Sequence, residues 1–95
     1  MAARRLRLKE AFRPSLDRLG VTRDPPTRAR VGRTLAELVD ATLPGRGDFE
    51  ALLYPVGTAW ARRIAGRSLW LLYRFDVEEV IVFVLVDREP VSVGD

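Results

Sequence analysis

The chain has 95 residues, of which 47% are hydrophobic and 31% charged, a balance that fits one small globular domain spanning 1–95 and argues against disorder. It contains no cysteine and no histidine, which excludes disulfides, thiolate metal sites and the commonest acid–base side chain at neutral pH, so no metal or cofactor is expected. The net charge of +3 is uneven: residues 1–46 carry a net +6 and residues 47–95 a net −3, and all but one of the sixteen bases are arginine, the side chain that forks phosphate and stacks on bases.

The opening stretch "MAARRLRLKE" alternates charge with leucine. It reads as a short half-buried strand, not as the apolar region of a secretory signal. No run approaches the ~20 apolar residues of a membrane span. A cytoplasmic location is the expectation. In "EAFRPSLDRLG", Phe12, Leu16 and Leu19 share a helical face, Pro14 fits only in the first turn, and Gly20 is a stop. The first helix is therefore predicted to begin near Ala11 or Phe12.

The second helix is predicted over 25–42. Asp24 is placed to cap it and Pro25 takes its first position. Val31, Leu35, Leu38, Val39 and Thr42 form its apolar stripe. The short link between the helices predicts an antiparallel helical hairpin. "LPGRGD" ends the helical half, and Glu50 is expected in a loop or a new helical turn.

Three strands follow as a meander: "AWARRI", "SLWLLYRF" and "VIVFVLVD", joined by the turns "AGR" and "DVEE". The last is apolar on both faces and is expected to be central. The order is β-α-α-β-β-β, an α+β domain with the helical hairpin on a mainly antiparallel four-stranded sheet. Trp70, Leu72 and Phe83 are expected to leave apolar area on the face away from the helices, which marks an interaction site. Arg62 and Arg63 are neighbours on a strand and should point to opposite faces.

This order and the wording "FEALLYPVGTAWARRIAGRSLWLLYRFD" resemble the RelE/ParE superfamily of bacterial toxins, and its YoeB/Txe branch in particular. In that branch a Glu stands ten residues before the Trp of a W-S-R-R-I stretch, and R-L-V-Y follows in the next strand. Here Glu50 precedes Trp60 by ten, and "WARRI" and "WLLY" stand for the two motifs. The resemblance implies a RelE-like fold and a toxin that enters the ribosome and cuts messenger without metal, the 2′-OH attacking its own 3′-phosphate. It implies Glu50 as the base. Arg62, Arg63, Arg67 and Arg88 would surround the phosphate.

Two departures accompany it. Trp70 stands where the family has an Arg, and the family's C-terminal His-Tyr pair is missing from "DREPVSVGD". The resemblance also implies a cognate antitoxin, with the ribosome and mRNA as targets, no membrane, and a possible homodimer. Because of the departures, a ParE-like gyrase inhibitor and a catalytically silent relative acting by protein binding stay open. So does an unrelated adaptor that binds protein through its sheet edge.

Overall fold

The structure is a computed structural model that describes residues 3–55 and 57–94. Strand β1 (Arg5–Leu8) leads into helix α1 (Phe12–Arg18), a 3-10 turn (Val21–Arg23) and helix α2 (Pro25–Asp40). Four strands follow: β2 (Phe49–Leu53), β3 (Gly57–Arg63), β4 (Trp70–Phe75) and β5 (Glu79–Val86). They form one five-stranded mixed sheet in the order β1-β5-β4-β3-β2. Strands β2 to β5 run antiparallel in succession, and β1 lies parallel to β5. Among the described residues no helix is long and apolar enough to cross a membrane.

The expected four strands are therefore five. Residues 49–53, expected as loop or helical turn, form an edge strand paired with β3. Phe49, Ala51 and Leu53 face one way and Glu50 and Leu52 the other, the period of two that a strand requires. Strand β5 is interior, as its apolar run predicts, with β1 on one side and β4 on the other.

The helices also end differently in detail. Gly20 adopts φ +76° just past α1, the left-handed stop that glycine accepts without penalty. Helix α2 has Asp24 at its N-cap and Pro25 in its first turn, but the Asp24 carboxylate accepts a hydrogen bond from Thr27 Oγ1 at 2.7 Å instead of from a helix amide. The helix ends at Asp40, so Thr42 lies outside it. Helix α1 packs chiefly on β5 and the 3-10 turn.

The main core lies between both helices and one face of the sheet. Phe12, Val21, Val31 and Leu38 meet Ile64, Leu71, Tyr73, Val80, Val82 and Leu85. A second, smaller cluster of Ala51, Ala59, Ala61 and Leu72 occupies the opposite face, flanked by Phe49, Leu53, Phe83, Val84 and Val86. The expectation that Leu72 would be exposed is corrected: it is 3% exposed. Alanines on β2 and β3 leave room for the larger side chains around them to close over it. A bulge helps, because Leu72 pairs with Val84 but Tyr73 with Val82, leaving Phe83 as an extra residue on β5. The bulge turns both Phe83 and Val84 toward the second cluster.

Ser15 joins α1 to the sheet. Strand β1 stops at Leu8, opposite Val82. Farther along β5 the amide of Leu85 donates to Ser15 Oγ at 3.1 Å, while that hydroxyl donates to the Phe12 carbonyl. Ser15 is fully buried. Ser15→Ala is expected to leave the Leu85 amide without a partner and to cost about 1–3 kcal/mol. Urea denaturation with an unchanged m-value checks this, and Ser15→Thr separates loss of the hydroxyl from loss of packing.

The β4–β5 turn is held by Asp76, whose Oδ1 accepts from the amides of Glu78 at 2.7 Å and Glu79 at 2.9 Å. These amides, Glu79 first, hold the Asp76 carboxyl below its usual value of 3.8. A folded-state pKa lowered in this way contributes stability above the unfolded value, and that stability is lost as pH falls through the folded one. The gap in melting temperature between the parent and Asp76→Ala should be constant above about pH 5 and should close in acid below 3.8. Asp76→Asn, which keeps an acceptor oxygen, should lie between the two.

Candidate functional site

The strand directions bring the C-terminal ends of β3 and β5, the start of β2 and the start of β4 to one end of the sheet. Four of the five residues singled out in the sequence lie at or just beyond this end, and Glu50 lies one register step inside it. The structure separates them by face.

Glu50 pairs across the strands with Trp60. Its exposed carboxylate accepts one bond, from Thr58 Oγ1 at 3.3 Å. One step farther along the register, Asp48 comes opposite Arg62 on that same face. Arg62 Nε donates to Asp48 Oδ1 at 3.0 Å and Nη2 donates to Oδ2 at 2.9 Å, a bidentate fork. The Arg62 side chain is 15% exposed and that of Asp48 only 3%. The Tyr73 hydroxyl also donates to Asp48 Oδ2, and the Arg62 guanidinium sits 5.9 Å from the Tyr73 ring centroid.

Charge and burial explain this cluster. The hydrogen bond to Asp48 is the main effect raising Arg62 above its ordinary value, against the opposing effect of burial. Burial first, then the bond to Asp48, pushes the Tyr73 phenol well above 10. Tyr73 is therefore a fixed donor at neutral pH and not an acid available to a substrate.

The loop before β2 completes the arrangement. Gly45 N donates to Asp48 Oδ2 at 2.8 Å, and Asp48 N donates to the Gly45 carbonyl at 3.0 Å. This closes a four-residue turn with Arg46 and Gly47 at its centre. Gly47 has φ +89°, which a type II turn requires at that place. Gly45 must be small for a different reason: a Cβ there would lie 2.0 Å from Arg62 Nη2. Arg46 is thus presented at the tip of a turn tied to the buried Asp48.

The other arginines have other partners. Arg63, on the opposite face from Arg62 as expected, donates from Nε to the Arg67 carbonyl at 2.9 Å. Its guanidinium lies 5.9 Å from the Trp70 ring centroid. Trp70, the departure from the family pattern, thus gives Arg63 an aromatic surface to lie on. Arg67 turns toward the start of α2, where Nε donates to Thr27 Oγ1 at 2.8 Å. Arg88 follows β5, is exposed, and makes no ion pair or hydrogen bond among the described residues.

Sequence reasoning missed Asp48, Tyr73 and Glu37. Asp48 and Arg62 are fourteen residues apart, so only the β2–β3 register reveals their pairing. The available signal was the alternation that opens "DFEALL", which marks a strand and its two faces. Glu37 on α2 approaches Arg62 Nη1 at 3.9 Å. Beside these groups lies an open groove of about 380 Å³, lined by Glu37, Arg46, Gly47, Asp48, Arg62 and Arg63. Among the described residues no three potential metal-ligating side chains cluster.

Comparison with protein-family models, with curated proteins and with solved structures finds no match to this chain.

Proposed function

We propose that this chain is the toxin of a bacterial toxin–antitoxin module, of the RelE/ParE kind, acting in the cytoplasm on messenger RNA in the ribosome. The observation that carries this reading is the exposed Glu50 carboxylate on the same sheet face as Arg62, close to the end where Arg63, Arg67 and Arg88 gather. Glu50 takes the proton from a 2′-OH. The 2′-oxygen forms a bond to the adjacent phosphorus and the P–O5′ bond breaks, leaving a 2′,3′-cyclic phosphate. Water supplies the proton to the departing 5′-oxygen, because the chain has no histidine and Tyr73 is buried and held on Asp48. Arg88, not held by a carboxylate, faces the phosphate charge from the end of β5, and Arg63, whose side chain stands on the sheet face opposite Glu50, reaches it only around the end of β3.

A binding-only reading is favoured by one observation. Arg62 is forked onto Asp48 and Arg67 is held by Thr27, so two of the expected phosphate ligands already have partners. A ParE-like inhibitor of gyrase, or a silent relative, would need neither. The antitoxin would dock on the apolar groove of about 500 Å³ formed by Leu53, Tyr54, Pro55, Phe83 and Val84 with the β1–α1 link.

Primer extension on a translated messenger, with and without EDTA, tests the chemistry. Cleavage that survives EDTA and falls about 10²–10³-fold in Arg63→Ala, and about 10²–10⁴-fold in Glu50→Gln, is the expected outcome. Arg67→Ala should cost less. Cleavage unchanged in both Glu50→Gln and Arg63→Ala removes these residues from the mechanism. Absence of cleavage together with trapped gyrase–DNA complexes moves the protein to the ParE-like reading.

A further inference from the structure

A second groove of about 270 Å³, lined by Arg30, Arg33, Thr34, Glu37 and Ala65, shares Glu37 with the groove beside Asp48. Arg30, Arg33 and Glu37 recur at spacings of three and four on α2, so they share one helical stripe. Across the groove stand Arg46 on its turn and Arg63 at the end of β3. None of Arg30, Arg33, Arg46 and Arg63 has a carboxylate within ion-pair distance among the described residues. Arg30 and Arg63 hydrogen-bond only to the carbonyls of Ala65 and Arg67.

Unmatched like charges around one concave surface repel each other. That cost is offset only when an anion enters. Asp48 cannot serve, because its carboxylate is buried and committed to Arg62, Tyr73 and Gly45. Among the described residues lining the two grooves, Glu37 is the one acid free to do so. Its side chain is 65% exposed and it meets Arg62 Nη1 loosely, at 3.9 Å. Nη1 is the one corner of the Arg62 guanidinium that Asp48 does not hold.

We infer that the two grooves bind the phosphodiester backbone of a nucleic acid, with Glu37 standing as a built-in competitor for the place of one phosphate. Arg33 and Arg46 supply the flanking contacts. When the polymer binds, the Glu37 side chain swings off Arg62 Nη1 and a phosphate oxygen replaces it. The lining offers no large apolar side chain to anchor a peptide, and guanidinium forks match phosphate oxygens in geometry. This inference deepens the toxin reading and rests on it for the kind of polymer, but it requires no cleavage.

Fluorescence anisotropy tests it, using a 16-nucleotide single-stranded RNA, an RNA duplex and a DNA duplex of equal length, over a range of salt. The parent should bind at least one of them, and the preferred one identifies the source of the phosphodiester. Arg33→Ala and Arg46→Ala are both on exposed residues and should leave the melting curve unchanged. Each should weaken binding roughly fivefold and lower the salt slope by about 1. Glu37→Gln should tighten binding by roughly fivefold, the effect of one unit charge at about 4 Å in water.

Arg5→Ala, on β1 at the far edge of the sheet, removes the same single charge elsewhere and should change little. An equal loss in that control, no gain from Glu37→Gln, a preference for polyglutamate, or no binding to any of the three probes overturns the inference. Binding with this variant pattern but without cleavage leaves the groove standing and removes the proposed chemistry. Cleavage insensitive to Arg33 and Arg46 does the reverse.

Discussion

Asp48→Ala is expected to destabilise the fold by roughly 3–5 kcal/mol, the usual cost of removing one partner from a buried ion pair. The substitution strands three donors at once: the Arg62 fork, the Tyr73 hydroxyl and the Gly45 amide. Among the described residues, Glu37 at 3.9 Å is then the only acid paired with Arg62. The turn that carries Arg46 also loses its tie to the sheet. A domain of this size has about 5–15 kcal/mol in total, so the variant should be partly unfolded at 37 °C. Asp48→Asn combined with Arg62→Met should be less damaging than Asp48→Ala alone, because no charge is then left unpaired. A double-mutant cycle by urea denaturation measures this. A cost below about 1 kcal/mol, the typical value of an exposed pair, would mean that the guanidinium simply turns to solvent.

Phe12→Ala should cost about 3–5 kcal/mol, the range for truncating a buried aromatic side chain. Phe12 is 1% exposed and opens α1, where it packs among the core side chains of the helices and β5. It also borders a groove of about 410 Å³ with Leu8, Leu16 and Leu35. Movement of these leucines toward the gap should hold the cost near the lower end of that range. At about 4–8 °C per kcal/mol for a domain of this length, the melting temperature should fall by at least about 12 °C. Phe12→Leu, which keeps most of the volume, should recover more than half of the loss.

The fold was legible where local signals were redundant. Helix α2 has a proline start and an apolar stripe, and β5 has an unbroken apolar run; each would be found by either sign alone. Strand β2 was not legible, because it is only five residues long, is interrupted by the charged Glu50, and is preceded by a glycine-rich turn. Its alternation was present, but Ala51 is a weak strand former, and the strand persists through its pairing with β3 and its burial. The exposure of Leu72 was misjudged for a related reason. Its cover comes from a bulge at Phe83 and from alanines on two other strands, none of which is encoded near residue 72.

The candidate site divides along the same line. That Arg62 and Arg63 face opposite ways follows from strand geometry alone. That one is committed to Asp48 and the other lies over Trp70 requires the register of three strands. Glu50 was singled out by a motif, whereas Glu37 had no motif to mark it. Its importance comes from the seven-residue distance to Arg30 along one helix and from the approach of β3 beneath.

The parallel pairing of β1 with β5 matters for how the protein is made. Arg5 finds Glu79, and Leu8 finds Val82, only after more than seventy intervening residues exist. Such a closure has to pay its loop entropy before it gains any contact, and contacts this distant in sequence slow folding. During synthesis, a chain stopped short of Glu79 has two helices whose apolar faces lack β5, and a first strand without a neighbour. Such a fragment offers unpaired backbone and uncovered leucine, the features by which incomplete chains aggregate or are degraded. Strand β1 therefore waits through more than seventy residues of synthesis for its neighbour, and a truncation before Val80 removes Val80, Val82 and Leu85 from the core.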